Sequence, residues 1–281
     1  IAILDNGRGM NDRELLTAMK YGGKSPREER DKVKYLISDM YNPYINYVKE
    51  YFHNAISVVD SFHVMKWLLD KISVFLRQLT KEYKQKDDER FAKAEQEHRY
   101  SSYHMKISDE SYLLQYHRWV LMKNEENIEY EFDGHINRHF GYAISPYKIE
   151  DMFLSIHKDF PAIRDLKEEF VSFNKRNAGN PNQAAVEIDD LIEMYLDSGI
   201  DIFVEFAETL NRFKPQIIDS FRMTARFVNG KIKESRLSNG PMESLNRKAK
   251  DLKRLSRGYT NFKNLRNRFL FGARKNAPIQ G

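Results

Sequence analysis

Two short β-like runs, residues 33–38 ("VKYLIS") and 55–59 ("AISVV"), are each followed at once by an aspartate, Asp39 and Asp60. Between them Pro43 opens a helix that runs through residue 50. Proline suits a first helical turn, where the N–H it lacks would have no partner. Strand, helix and strand in so short a stretch predict a parallel pair joined by a crossover helix, because a tight turn cannot connect parallel strands. The C-terminal edge of such a pair is where open α/β sheets place their chemistry, and both aspartates fall there.

After Ser61 the pattern changes to helical spacing. Val64, Leu68, Ile72, Phe75 and Leu79 form one apolar stripe. Residues 81–98 are highly charged and weakly amphipathic, which predicts an exposed or hairpin-forming stretch. Helices are expected over 109–123, 146–158, 162–174, 184–198 and 200–214, with Ser108 and Ser145-Pro146 as starts and the loop "NAGNPN" at 177–182. Two more follow, over 241–256 and 261–273; residues 1–4 form a short apolar run compatible with a strand, nothing reads as a strand for a long way after Ser61, and no internal repeat stands out.

A chain of 281 residues can bury one large core or two modest ones. Charged residues at 31% and aromatics at 13% exclude a disordered composition. The absence of cysteine excludes a disulfide scaffold and a thiolate metal site, and fits a reducing compartment. No apolar run reaches the ~18–20 residues that span a bilayer, and no signal-peptide pattern opens the chain. The first residue is Ile1 rather than Met, as in a fragment.

Charge is unevenly placed. Residues 231–275 hold 14 Lys and Arg against 3 Asp and Glu, a net of +11 within a chain total of +5, so the remainder carries −6. A basic end on a mildly acidic body predicts a localised polyanion site.

Within that end, "SNGPMESLNRKAKDLKRL" places Glu243, Arg247, Lys250 and Arg254 on one helical stripe, with Met242, Leu245, Ala249 and Leu252 on the opposite one. Glu243 sits in the first turn, at the positive end of the helix dipole. An i,i+4 pair of Glu243 with Arg247 is ordinary helix chemistry, worth ~0.3–0.5 kcal/mol. The other reading is a metal ligand beside a nucleic-acid backbone. Asp39 at a strand end, and Asp60 with His63 spaced D-x-x-H at the next strand-to-helix junction, add weight to it. Carboxylates converging on a parallel sheet, with one more from a distant helix, suit an oxygen-ligand Mg²⁺ site. Two-metal phosphoryl transfer needs such ligands and nearby cations for the polyanion.

Two blocks carry a resemblance: "LISDMYNPYINYVKEYFHNAISVVDSFHVMKWL" (36–68) and "SNGPMESLNRKAKDLKRLSRGYTNFKNLRNRFL" (238–270). Together they resemble the DDE transposases of bacterial insertion sequences, and most closely the family called ISL-three, over roughly residues 34–271. The resemblance implies a ribonuclease H-like fold with a long helical insertion before the final acid. It implies Asp39 as the second acid of the triad and Glu243 as the third, both metal ligands. It gives Asp60 and His63 an accessory role in the D-x-x-H element. Arg247, Lys250, Arg254, Arg257, Lys263 and Arg266 would contact DNA. Mg²⁺ or Mn²⁺ is the implied cofactor. The first triad Asp and the strands around it have no match in the 38 residues before Asp39; Asp5 is rejected as a stand-in because residues 10–32 read as one helix and a polar linker.

The opening "IAILDNGRGMNDRELLTAMKYGGKSP" resembles instead the D-x-G-x-G segment of GHKL ATPases, with Asp5, Gly7 and Gly9 at the matching positions. About 30 residues cannot build that pocket, so no ATP is expected.

The expected fold class is therefore α/β with a large all-α insertion, a partial ribonuclease H-like core with an incomplete sheet, mostly helical overall. The expected segments are an ATPase-like fragment and linker (1–32), the first part of the core (33–84), the helical insertion (85–230), the second part of the core with Glu243 and the basic helices (231–275) and a tail (276–281). The implied function is cleavage and strand transfer at insertion-sequence ends, in a degenerate chain without the first acid; the alternative is a non-catalytic DNA-binding protein using the basic helices. The expected partner is double-stranded transposon-end DNA, on which family members oligomerise. No membrane is expected, and the expected location is cytoplasmic and nucleoid-associated.

Overall fold

The computed structural model describes residues 27–97, 106–132, 134–228, 231–255 and 261–273. The chain divides into two units, one formed by residues 1–61 and 224–281 and the other by 62–223. The ATPase-like segment lies almost wholly outside the described residues, which open with a short helix α1 (Arg27–Arg30).

In the first unit β1 (Tyr35–Ser38) and β2 (Ile56–Val59) pair in parallel, with Tyr35 opposite Ile56 and Ser38 opposite Val59. The helix between them, α2 (Asn42–Tyr51), carries Pro43 in its first turn and buries Ile45 and Val48. The βαβ unit is as the alternation of patterns predicts. Val58 and Val59 are fully buried, whereas Tyr35 and Ile56, register partners at the far end, are exposed.

The same unit holds a hairpin that the sequence reading did not anticipate. β3 (Met223–Val228) and β4 (Lys231–Arg236) form a separate two-stranded sheet. They are two residues apart in sequence, a spacing that only antiparallel pairing can meet. The intervening Asn229-Gly230 is a strong hairpin signal, masked by the charge of the flanking residues.

The second unit is built of helices. Its first, α3 (Ser61–Gln96), starts at the end of β2 and runs for 36 residues, ~54 Å at 1.5 Å per residue. Val64, Leu68, Ile72 and Leu76 are at most 1% exposed and lie four apart. Leu76 thus takes the inner position that the sequence spacing assigns to Phe75, whose half-buried ring packs edge-on to His157 and Phe160. The charged stretch beyond residue 81 continues this helix instead of turning back. Asp87 explains part of that: it is buried, it accepts bonds from the backbone N–H and Oγ of Ser108 at 3.0 Å each, and it pairs with Arg90.

Next come α4 (Asp109–Tyr116) and α5 (Trp119–Met122), where one helix over 109–123 is expected. The break has a local cause. The carbonyl of Leu114, which residue 118 would bond through its backbone in a continuing helix, takes the Arg118 Nε–H at 2.7 Å, and the same guanidinium reaches Thr80. A short 3₁₀ turn (Glu125–Asn127) precedes α6 (Pro146–Leu154), α7 (Phe160–Arg176), α8 (Pro181–Asp197), α9 (Asp201–Arg212) and α10 (Lys214–Asp219). Ser108 and Ser145 cap α4 and α6 through their side chains, as expected, and Asn180 caps α8. Gly199, at φ +63°, makes the left-handed exit from α8 into α9. Aromatic rings fill the core: Phe206 lies against Trp67, Phe170 and Tyr195 at centroid distances of 5.5, 5.0 and 5.6 Å.

The chain then returns to the first unit through β3 and β4 and ends in α11 (Gly240–Leu255) and α12 (Phe262–Ala273), which pack on each other. Among the described residues no helix is long and apolar enough to cross a membrane.

Candidate functional site

Asp39 and Asp60 occupy equivalent places on neighbouring strands. Ser38 pairs with Val59, and the Asp60 N–H donates to the Ser38 carbonyl at 3.0 Å. The next residue on each strand is therefore an aspartate at the same edge, with strands ~4.8 Å apart. The two side chains differ in environment. Asp39 is exposed, and its carbonyl accepts from the Tyr41 N–H at 2.8 Å as the chain turns into α2. Asp60 is only 2% exposed.

The buried carboxylate connects this edge to the far end of the chain. Asp60 Oδ2 accepts the backbone N–H of Asn239 at 2.6 Å. Asn239 is the residue before α11, and its carbonyl accepts the Glu243 N–H at 3.0 Å. Ser238 Oγ accepts the Gly240 N–H at 2.9 Å, tightening the same turn. Glu243 is thus one helical turn along from the residue that Asp60 holds, and it is exposed. Arg236, at the end of β4, completes the surroundings. Burial pushes its guanidinium down to about 10, against the opposing pull of the Asp60 carboxylate, so it remains charged at neutral pH.

His63 lies in the first turn of α3, half-buried, with its ring edge-on to Phe62 at 5.5 Å. It belongs to the helical unit, whereas Asp39, Asp60 and Glu243 belong to the other. Among the described residues no group of three or more His, Asp or Glu is placed to hold a metal ion.

On helix α11 the described side chains follow the predicted two-sided pattern, with Met242 and Leu245 of the apolar stripe outside the described side chains. Arg247, Lys250 and Arg254 are exposed, while Ala249 and Leu252 are half-buried. Lys248 and Lys253 are exposed as well and widen the basic face beyond the expected stripe. Arg254 reaches Asp251 at 3.4 Å. Arg257 and the side chains of Lys263 and Arg266 lie outside the described residues. The participants that sequence reading missed are Asn239 and Arg236. Asn239 acts through its backbone, which no residue-type pattern reveals. Arg236 is one of 14 cations in residues 231–275, and no spacing sets it apart from the others.

A cavity of about 410 Å³ in the helical unit is lined by Glu125, Glu150, Arg164, Asp165, Glu168 and Glu169. Its carboxylates repel phosphate, and its arginine is already paired with Glu150 and bonded to Tyr130. It offers no competing nucleic-acid site.

A family model described as a transposase, DDE_Tnp_ISL3, matches residues 3–269. The match includes both the β1–β2 edge and α11. No curated protein and no solved structure matches the chain.

Proposed function

Because the chain belongs to the DDE_Tnp_ISL3 transposase family, we propose that it engages the DNA ends of an insertion sequence through the basic face of α11. Asp39 and Glu243 are then the carboxylates facing the scissile phosphate, at one edge of a partial ribonuclease H-like core. The observation that carries this reading is the 2.6 Å bond from the Asn239 amide to Asp60. It fastens the start of the Glu243 helix to the end of β2, next to Asp39, although 179 residues separate the bonded pair.

Family-type cleavage calls for two divalent cations held by acidic oxygen ligands, ~3.5–4 Å apart. The described donors do not fit that group. Asp39 and Glu243 contribute two negative charges against about four positive ones, and one oxygen of Asp60 is committed to Asn239. Among the described residues this donor set favours the second reading: DNA binding without cleavage. Arg247, Lys250 and Arg254, spaced along one exposed face, meet successive backbone phosphates and carry no base specificity.

The test is a nicking and strand-transfer assay on supercoiled and transposon-end DNA with the 281-residue chain, in Mg²⁺ and in Mn²⁺. The expected result is a salt-sensitive mobility shift with no product. Metal-dependent cleavage lost in Asp39→Ala would overturn the non-cleaving reading and show that an acid outside the described residues completes the centre. Absence of any shift would overturn the DNA-binding reading itself.

A further inference from the structure

Asp60 stands where the chain leaves for the helical unit, which runs from Phe62 to Met223 and returns at Thr224. Its bond to Asn239 joins the two sequence halves of the sheet-bearing unit at the mouth of that insertion. A carboxylate this deeply buried is costly unless it is paired and hydrogen-bonded. Here a short N–H···O bond, the positive end of the α11 dipole and the Arg236 guanidinium meet the requirement.

The geometry points to Asp60 as a positioning residue for Glu243 rather than a metal ligand, clamping the turn at residues 238–240 with Arg236 as its countercharge. One residue links the two acids. Asn239 gives its N–H to Asp60 and its carbonyl to the Glu243 N–H. The clamp therefore acts on the turn that carries Glu243. The bond from Gly240 to Ser238 Oγ spans two residues and ties nothing to the sheet. Without Asp60, the first turn of α11, which carries Glu243, loses its anchor on the β2 edge. An oxygen engaged at 2.6 Å by a backbone amide is also a poor candidate for direct coordination. The inference rests on the proposed function only for the use made of Glu243; the clamp stands or falls on its own.

Asp60→Asn and Asp60→Ala in the 281-residue chain separate the possibilities. Asparagine keeps a side-chain oxygen acceptor and removes the charge; alanine removes both. Amide hydrogen exchange is followed at residues 239–247, with the helix Phe160–Arg176 as internal reference. Mn²⁺ is titrated in parallel and observed by electron paramagnetic resonance. Asp60→Ala should speed exchange of the Asn239 and Glu243 amides about 10- to 100-fold, the worth of a hydrogen bond to a charged group, and leave the reference helix unchanged. Asp60→Asn should restore most of the protection and leave any Mn²⁺ affinity that depends on Glu243 at the parental value. Parental protection in Asp60→Ala overturns the clamp. Loss of Mn²⁺ binding in Asp60→Asn with protection intact overturns it too, by making Asp60 a ligand. If the alanine variant does not fold, the asparagine variant decides alone: retained protection supports the clamp, and parental Mn²⁺ binding with lost protection refutes it. A parent that binds no Mn²⁺ excludes the ligand role and leaves exchange to decide. Failure of the parent to shift DNA sinks the proposed function and leaves the clamp untouched.

Discussion

The two units of this chain treat charge in opposite ways. Residues 62–223 carry 22 Lys and Arg against 29 Asp and Glu, a net of −7, while the remaining residues carry 24 against 12, a net of +12. The helical unit also neutralises its cations internally. Arg176 bonds Glu187 at 2.6 Å and Glu169 at 2.8 Å, Arg222 bonds Asp219 at 2.7 Å, and Lys71 pairs with Glu205. In the other unit Arg247, Lys248, Lys250 and Lys253 stand exposed along one helix. The cores differ in the same sense. The helical unit packs Phe153, Phe160, Phe170, Phe173, Phe203 and Phe206 below 2% exposure, whereas the other has two-stranded sheets and buries smaller aliphatic side chains such as Ile45, Val48, Val58 and Val59. The contrast is one of construction: one unit pairs its cations with its own acids around an aromatic core, and the other displays them along one exposed helix, the arrangement the proposed DNA contact would use.

The strongest attempt to break that contrast removes the centre of the aromatic core. Phe206→Ala should destabilise the chain by ~3–5 kcal/mol, because it strips Trp67, Phe170 and Tyr195 of their shared neighbour and leaves a cavity. Urea unfolding measures it. A loss under about 1 kcal/mol would show that the helical unit is not held by its rings.

A second experiment addresses the charged surface. Replacing Arg247, Lys250 and Arg254 with glutamine should weaken DNA binding for all sequences alike. The slope of log K against log salt should fall by about 0.9 for each phosphate no longer neutralised, roughly 2.7 for three. The matched control is Lys66→Gln with Lys148→Gln in the helical unit, where both lysines already pair with aspartates at 2.6 and 2.9 Å. Equal losses in both sets would abolish the distinction between the units.

The smallest effect sharpens the comparison through pH. Glu187 is held down to about 2 by Arg176 first, then by Asn177 and Gln183, against an ordinary value of 4.5. A carboxyl whose folded value is depressed contributes stability that is fully present above its unfolded value and is lost as pH falls toward the folded one. Thermal melts should therefore show a decline between about pH 4.5 and pH 2 that is shallower in Glu187→Gln. The substitution should cost about 1 kcal/mol or less near neutral pH, since the pair is partly solvated. Identical acid limbs in parent and variant would remove Glu187 from the account of how this unit balances its charge.

The βαβ start was legible because its signals are local: two apolar runs, Pro43 between them, an aspartate after each. Ser108 and Ser145 were legible as caps for the same reason. The α11 stripe followed from a spacing of 3.6 residues per turn. The segment of β3 and β4 holds the hairpin-type dipeptide Asn229-Gly230, but Lys231 and Lys233 give β4 the composition of a charged surface stretch. The break between α4 and α5 was not readable, since Arg118 leaves helical continuation for partners that include Thr80, 38 residues earlier. Nor could spacing choose between Phe75 and Leu76, because neighbouring residues on a helix differ by 100° and the partners across the core settle which one faces in.

The candidate site divides along the same line. Sequence by itself determined which acids end the two strands, where Glu243 falls in its helix and how the cations line up beside it, because each depends on backbone periodicity within a few residues. Only the tertiary structure decided that Asp60 is buried against the Asn239 amide while Asp39 remains exposed. The two aspartates follow their strands in the same way, and Asp60 takes a backbone N–H from 179 residues away, a donor every residue but proline carries and no residue pattern can mark.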